Sequence, residues 1–335
     1  MRIGLSYDLK EAVPLAQVGI EDALEEYDSF ETVDAIAAAI EAQGHSVVRL
    51  GGGREFLAKI LREDVDLVFN IAEGLGNNRS REAQVPSVLE MLDIPYSGSD
   101  PQCLAICLDK PLTKKIIALS GIPTPKWQVI TSSRELREMA WVDFPFPAFV
   151  KPACEGSSKG IRLGSRVESI EQMTGVATVL LERYRQPVMV EEFIAGDEVT
   201  VGIVGNSPPR VVGIMRVLPK RRGENFVYSL EVKRDWERLV DYECPPRLEA
   251  SILREITDYS LRAFDVLGCR DFARLDFRLS PEGRPYFLEI NPLPGLSPKS
   301  SDLPIIAGKM GLTYEALISA ILDSALARYP QCVRR

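Results

Sequence analysis

Two short stretches carry side chains that could do chemistry together. In "FARLDFRLSPEGRPYFLEINP", Asp276 sits on one apolar run, and Glu289 and Asn291 sit on the next, with the turn "SPEG" between them. Residues two apart on a strand share a face, so Glu289 and Asn291 project together. Antiparallel pairing across the turn brings Asp276 towards them. Two carboxylates about 4 Å apart repel by roughly 4 kcal/mol at an effective dielectric of 20. A hard divalent cation removes that cost, and Mg²⁺ suits a few carboxylates plus phosphate oxygens. Arg274, on the same face as Asp276, either neutralises the cluster or holds an anion passing it. A hairpin with its charges in water is the plain alternative.

In "FVKPACEGSSKGIRL", Lys151 ends an apolar strand and Gly156–Gly160 makes a turn rich in hydroxyls. Backbone N–H groups and serine hydroxyls in such a turn can wrap phosphate oxygens. Lys151 adds a compact positive charge beside them. The G-K-[ST] ending of a P-loop is missing, and alone the stretch reads better as an ordinary hairpin turn. The chain's single histidine, His45, lies in the plain connection "AQGHSVV". Nucleophile systems that need a histidine base are therefore excluded. Chemistry here must rest on carboxylates, lysines, arginines, hydroxyls and metal.

The elements that must position these groups follow from periodicity. "RIGLSYD", "HSVVRL" and "VDLVFNI" read as strands, separated by the helical patterns "ETVDAIAAAIEAQG" and "REFLAKILRE". The alternation predicts a parallel sheet with helices on both faces over residues 1–103. No G-x-G-x-x-G follows the first strand, so dinucleotide binding is not indicated. The long acidic segment from Asp8 to Ser29 is a solvated loop or a lid. "LAICLDKPLTKKIIALSG" is helical and groups Lys110, Lys114 and Lys115. "VMVEEFIAGDEVTVGIVG" is strand, turn and strand, and "RVVGIMRVL" a further strand.

The 335 residues suit two or three domains with ample core. Forty basic against forty-eight acidic residues leave −8, which argues against a nucleic-acid partner. No apolar run approaches the roughly 18 residues of a membrane span, and "MRIGLSYD" is a strand start, not a signal peptide. Six cysteines lack the paired spacing of a zinc site and are expected as scattered, reduced thiols of a cytoplasmic protein.

Taken in order, "KP…EGSS.G", "VEEFIAGDEVTV" and "RLDF…FLEINPLPG" resemble the ATP-grasp superfamily, and within it D-alanine–D-alanine ligase and its relatives. "PYSGSD" followed by "LDKPLTKK" extends the resemblance, which runs from the first strand to the last helix. It implies an N-terminal parallel α/β domain (1–103) before a two-lobed ATP-grasp fold, a small central lobe (104–194) and a C-terminal lobe (195–335). It also implies ATP and two Mg²⁺ ions, with Mn²⁺ an acceptable substitute, and an acyl-phosphate intermediate. Lys110, Lys151, Ser158 and Lys233 would contact the phosphates. Glu191 and Glu192 would lie near the base, with the Phe193 and Ile194 backbone hydrogen-bonding it, and Glu198 would take the ribose. Asp276, Glu289 and Asn291 would hold the metals. Ser157 would sit close to the amino-acid site. Arg274 and the Gly295 backbone would stabilise the tetrahedral oxyanion, and Ser300 or Ser301 would grip the second substrate's carboxylate.

Three departures fall on the substrate-recognising parts. The ligases' "HG…GEDG" loop is "NIAEGLGNNRSREAQ" here, with Glu73 in place of histidine. Their short first loop with its amine-holding glutamate is long here, and Glu25 is its loose match. Their lysine–tyrosine pair is Lys233–Arg234. The expected function is thus an ATP-dependent ligase joining a carboxylate to an amine of amino acids or small peptides, a homodimer without membrane or nucleic-acid partners. The alternatives are D-alanine–D-alanine ligase itself and a non-catalytic ATP-binding protein of this fold. A guanidinium at position 234 would favour a substrate with an extra acidic group, and Glu73 one with an extra amine; Arg234 pairing with Asp235 or Glu237 of its own loop is the bland alternative.

Overall fold

β-Branched and aliphatic runs near the N-terminus form β1 (Arg2–Ser6), β2 (Ser46–Gly51) and β3 (Leu67–Asn70), all parallel in the order β2-β1-β3. The structure is a computed structural model that describes residues 1–13, 19–141, 143–220 and 226–333. Of the long first connection, residues 14–18 thus fall outside the described residues. Alternate residues of the sheet feed two cores. Ile3, Leu5, Leu67 and Phe69 pack beneath α1 (Phe30–Glu41), while Val68 and Leu50 meet Phe56 and Ile60 of α2 (Gly53–Ile60) and Leu89 of α3 (Gln84–Met91). The Ser29 hydroxyl caps α1 by accepting the Thr32 N–H, and Val33, Ile36 and Ile40 form its buried stripe.

The lysine-bearing segment expected as one helix is two, α4 (Pro101–Leu108) and α5 (Lys110–Leu119). Asp109 ends the first and caps the second through the Leu112 N–H, and Pro111 at the start of α5 cannot carry the earlier ladder onward. The expected domain break at 103/104 therefore falls inside α4. Cys103, Cys107 and Ile117 pack in the core under the C-terminal sheet.

Four antiparallel strands, β4 (Trp127–Ile130), β5 (Ala148–Pro152), β6 (Arg166–Val167) and β7 (Val188–Glu192), form a sheet ordered β4-β7-β5-β6. Helices α6 (Ser133–Glu138) and α7 (Ile170–Tyr184) accompany it. The second antiparallel sheet is ordered β10-β9-β8-β11-β12, with β8 (Asp197–Val204), β9 (Arg210–Pro219), β10 (Val240–Glu243), β11 (Phe272–Leu279) and β12 (Pro285–Asn291). Between β9 and β10 lie the short helices α8 (Leu230–Arg234) and α9 (Trp236–Leu239), and α10 (Ala250–Val266) precedes β11.

Helix α11 (Asp302–Lys309) lies close over β8 and β9 because both present glycine beneath it. A Cβ on Gly202 would meet Leu303 at 2.6 Å, and one on Gly213 would meet Ile306 at 2.7 Å. Helix α12 (Tyr314–Arg328) then returns to the first domain, where Leu317, Ile318, Ile321 and Leu322 share a core with Ile3, Val33 and Ile36. Among the described residues no single helix is long and apolar enough to cross a membrane. No disulfide joins Cys103, Cys107, Cys154, Cys244 or Cys269. They are not all scattered, however: Cys103, Cys107 and Cys269 converge in one buried group.

Candidate functional site

The β11–β12 hairpin sets Asp276 opposite Glu289 and Arg274 opposite Asn291, with a bulge after Asp276. Arg274 bonds Asp276 at 2.8 Å and reaches Asp302 at 3.4 Å and Glu289 at 3.6 Å. Thr200 donates its hydroxyl to Asp276 at 2.9 Å. Lys110 stands 2.9 Å from Glu289 and donates to the Glu155 carbonyl at 2.7 Å. Burial works to raise the Glu289 pKa, but Lys110, Lys151 and Arg274 outweigh it and hold the carboxyl well below its usual range. Burial raises Asp276 instead; Arg274 opposes this, while Glu289 and Asp302 repel its charge. Two carboxylates and the Asn291 amide oxygen are a hard oxygen donor set, which fits Mg²⁺. Here Lys110 and Arg274 neutralise the carboxylates. The Arg274 Nε is buried and has no hydrogen-bond partner among the described residues, so one donor of the fork is left over.

Beside this hairpin opens a cleft of about 750 Å³, lined by Lys151, Ser158, Glu191 to Ile194, Glu198, Lys233, Asp276 and Glu289. The predicted nucleotide residues therefore come together with two of the predicted metal ligands. Lys110 is not among its lining side chains; it reaches the site through Glu289. The Phe193 N–H is already committed to the Pro147 carbonyl at 3.0 Å, leaving the Ile194 N–H as the donor for a bound base. The Phe193 ring lies between the guanidinium groups of Arg166 (4.9 Å) and Arg278 (4.8 Å). Arg278 also holds Glu198 at 3.2 Å and the Ile194 carbonyl at 2.9 Å, fixing the hinge to the ribose-side carboxylate. Strand alternation puts Arg278 on this face, but no motif signals its role.

Lys114, which the sequence only groups with Lys110 and Lys115, is given no role there. It is fully buried, and it shares Glu191 with Lys151: Lys114 lies 2.9 Å from one carboxylate oxygen and Lys151 2.6 Å from the other. Burial pulls the Lys114 pKa down to about 8 against the opposing pull of Glu191. Its i+4 spacing from Lys110 was the available signal, since it puts both ammonium groups on one helix face. Lys114→Met is expected to raise the KM for ATP about 10-fold with a smaller effect on kcat, the scale of one charge-assisted hydrogen bond. Initial rates of ADP release against ATP concentration check this; an unchanged KM removes Lys114 from the nucleotide site.

A second cleft, about 1250 Å³, adjoins the first and is lined by Glu25, Glu73, Ser157, Arg234, Arg274, Asn291, Gly295, Ser300 and Ser301. All the residues proposed for the substrates thus face one space. A Cβ on Gly295 would come within 2.8 Å of the Ser301 hydroxyl, so this backbone approach requires glycine. Both serines bond within their own loop: Ser301 accepts the Ser297 N–H at 3.0 Å, and Ser300 donates to the Ser297 hydroxyl at 3.0 Å. Burial, with Glu82 and Glu26 nearby, raises the Glu73 pKa well above its ordinary value.

The bland alternative for Arg234 is not what the structure shows. Arg234 bonds neither Asp235 nor Glu237; its partners are Glu21 at 2.8 Å and Glu25 at 3.2 Å on the first connection. Both side chains line the second cleft, and their pair is partly exposed, so a substrate charge would compete with it at little cost. The neighbouring Glu26, which the sequence did not single out, holds the glycine–serine loop. It accepts the Gly156 N–H at 2.6 Å and pairs with Lys159 at 3.1 Å and with Arg81 at 2.8 Å. Burial alone would raise the Glu26 pKa, but Arg81 and Lys159 keep it below the usual value. Asp22 adds the Gly160 N–H at 3.0 Å and the Tyr184 hydroxyl at 2.7 Å.

Of the described residues of the acidic first connection, Asp22 and Glu26 therefore strap the glycine–serine loop. Within that loop, Ser157 and Ser158 take left-handed backbone angles (φ 47° and 59°), an arrangement that costs energy in a non-glycine residue and so needs such ties. Amide exchange over residues 155–160 is expected to quicken at least about 10-fold in Glu26→Gln, one charged tie being worth about 1.5–3 kcal/mol. In the wild type the same amides should slow when a non-hydrolysable ATP analogue and Mg²⁺ are added. Exchange unchanged in both experiments overturns the strap.

Comparison with known proteins gives a consistent picture. Residues 116–323 match the family described as D-ala D-ala ligase C-terminus. The chain is 36% identical over 295 residues to a D-alanine–D-alanine ligase of Aquifex aeolicus, covering 88% of this chain and 94% of that one. It is 32% identical over 306 residues to an uncharacterised protein of Sinorhizobium fredii, covering 88% of each. The crystal structure of D-alanine–D-alanine ligase from Bacillus anthracis complexed with ATP aligns with a TM-score of 0.74 at 23% identity, over 99% of both chains. At that identity the likeness speaks for the fold.

Proposed function

Because this chain belongs to the D-alanine–D-alanine ligase family and is an ATP-dependent carboxylate–amine ligase, we propose that it joins two small amino-acid or peptide substrates through an acyl phosphate. One observation carries the reading: the two clefts share Tyr228, Lys233 and Asp302, and the β11–β12 hairpin stands between them. Asp276 and Glu289 line the first cleft, and Arg274 and Asn291 line the second.

In this reading Glu191, Glu192 and the Phe193–Ile194 backbone hold the base, the Ile194 N–H being the donor. Glu198 holds the ribose, and Lys110, Lys151, Ser158 and Lys233 hold the phosphates. Bound Mg²⁺ at Asp276, Glu289 and Asn291, as two ions, supplies charge neutralisation on the phosphoryl oxygens. A substrate carboxylate takes the γ-phosphoryl group and ADP leaves. An amine, having lost its ammonium proton to solvent, attacks the acyl carbon, and phosphate departs with the bonding pair. The spare Arg274 donor and the Gly295 N–H meet the negative charge that develops on the carbonyl oxygen. Ser157 lies beside the first substrate, and Ser300 and Ser301 take the second substrate's carboxylate. The division at 1–103, 104–194 and 195–335, a homodimeric assembly and a cytoplasmic setting belong to the same proposal.

A second reading, D-alanine at both positions, is favoured by the name of the 36% identical relative. The test is ADP release over a panel of D- and L-amino acids and dipeptides. Release with D-alanine alone establishes the second reading, and release with another pair the first. No release with any amino acid overturns both.

A further inference from the structure

Outside the clefts, one group of metal-ligating side chains is assembled from distant parts of the chain. Cys103 and Cys107 are one helical turn apart on α4, and Cys269 lies in the turn between α10 and β11. The Cys103 sulfur is 3.9 Å from that of Cys107 and 3.6 Å from that of Cys269, and all three sulfur atoms lie within 4.8 Å of one another. The residues are 2%, 4% and 7% exposed. We propose that Cys103, Cys107 and Cys269 form a structural site for one thiophilic d¹⁰ ion, with Zn²⁺ as its occupant.

The geometry is the first argument. Three thiolates bound at about 2.3 Å with near-tetrahedral angles stand about 3.8 Å apart. Two of the three separations, 3.6 and 3.9 Å, fall either side of that value, and the third lies within 4.8 Å. Ligand chemistry is the second: an all-sulfur set selects zinc or copper(I) over the magnesium that the carboxylates of the hairpin would take. Charge decides between the two soft ions. Three thiolates leave −1 around Zn²⁺ but −2 around copper(I), and the higher charge is the costlier one to bury. A cation is at hand on the rim, where Arg270 bonds Asp100 at 2.6 Å and its N–H donates to the Ser99 hydroxyl at 2.9 Å. A fourth ligand such as water would complete the tetrahedron. Binding releases the three thiol protons to solvent.

The ion would have a mechanical effect. It would tie α4, which follows the N-terminal sheet, to the turn that launches β11, the strand carrying Arg274 and Asp276. The inference is independent of which substrates the enzyme joins.

Metal-stripped, fully reduced protein is titrated with Co²⁺, whose thiolate complexes absorb by sulfur-to-metal charge transfer, and then with Zn²⁺. One equivalent of Co²⁺ is expected to give this absorption and one equivalent of Zn²⁺ to abolish it. Native mass spectrometry should show one zinc bound per chain, with a mass increase of one zinc less two protons. Cys269→Ala and Cys107→Ala should weaken binding by more than the roughly 10–100-fold that loss of an outer-shell partner costs. Cys244→Ser serves as the control that keeps the signal. Serine at the buried positions risks unfolding, so alanine is used and circular dichroism verifies the fold. No charge-transfer absorption in the wild type, or absorption that survives Cys269→Ala in folded protein, overturns the site.

Discussion

Glu289→Gln is expected to lower Mg²⁺-dependent turnover by more than about 100-fold while the protein stays folded, since even an outer-shell partner of a metal costs about 10–100-fold. Glutamine keeps the shape and one acceptor but loses the charge that makes this side chain a ligand for a hard cation. The fold survives because Lys110 retains the Glu155 carbonyl at 2.7 Å. The stability loss should be about 1–2 kcal/mol, the range for one hydrogen bond to a charged group. A further consequence separates a metal ligand from a merely structural carboxylate. Removing the negative charge that now occupies Lys110 leaves that ammonium free for phosphate, so ATP should bind the variant more tightly than the wild type when Mg²⁺ is absent. Calorimetric titration without metal, set beside ADP release at saturating Mg²⁺, checks both halves. Wild-type turnover in the variant sinks the assignment of Glu289.

The hairpin is legible in the sequence because its logic is local. A turn of four residues sets the register close to it, and period-2 alternation brings Asp276 towards Glu289; counting from the turn alone sets Asp276 opposite Leu288, and the bulge after Asp276 shifts it to Glu289. The three-layer first domain is legible for the same reason: its strands and helices announce themselves by period. What is not legible depends on contacts between residues far apart in the chain. Glu26 and Gly156 are separated by 130 residues, and nothing in the run "EDALEEYD" distinguishes Glu26 from Glu25 until the loop is docked on it. Resemblance to the ligases points to Glu25, the carboxylate that pairs with Arg234; its neighbour holds the loop. The cysteine group is hidden in the same way. Spacing rules find ligand pairs on one element, whereas Cys269 joins Cys103 across 166 residues of chain. Lys114 escapes notice for a different reason. Composition gives three lysines on one segment, and only burial tells which of them have lost water and must therefore be paired.

Arg274→Met is the substitution expected to damage both fold and function, and its two effects separate with pH. The guanidinium is buried among Asp276, Asp302 and Glu289. Deleting one partner of a buried ionic group costs about 3–5 kcal/mol, because the charges left behind are uncompensated. Turnover should fall by about 10²–10³ as well, the cost of losing one oxyanion donor. The carboxylates have a way out, which is to protonate. Burial already raises Asp276, and Arg274 is the strongest influence holding it down, so the variant's folded state should bind protons that its unfolded chain does not. A carboxyl whose folded pKa lies above the unfolded value adds stability as pH falls through the window between them. That window opens at about 4, the unfolded value, and extends upward towards neutrality. The gap in Tm between wild type and Arg274→Met should therefore narrow from pH 8 to pH 5. Mg²⁺ at pH 8 should narrow it too, by supplying the missing positive charge to the same oxygens. Arg274→Lys should restore most of the stability, since one charge returns, but little of the turnover, because an ammonium lacks the planar fork that reaches several oxygens at once. A Tm gap that is the same at pH 5 and pH 8, with and without Mg²⁺, would mean that Arg274 acts through packing alone, and the oxyanion role would have to move to Gly295 and Lys233.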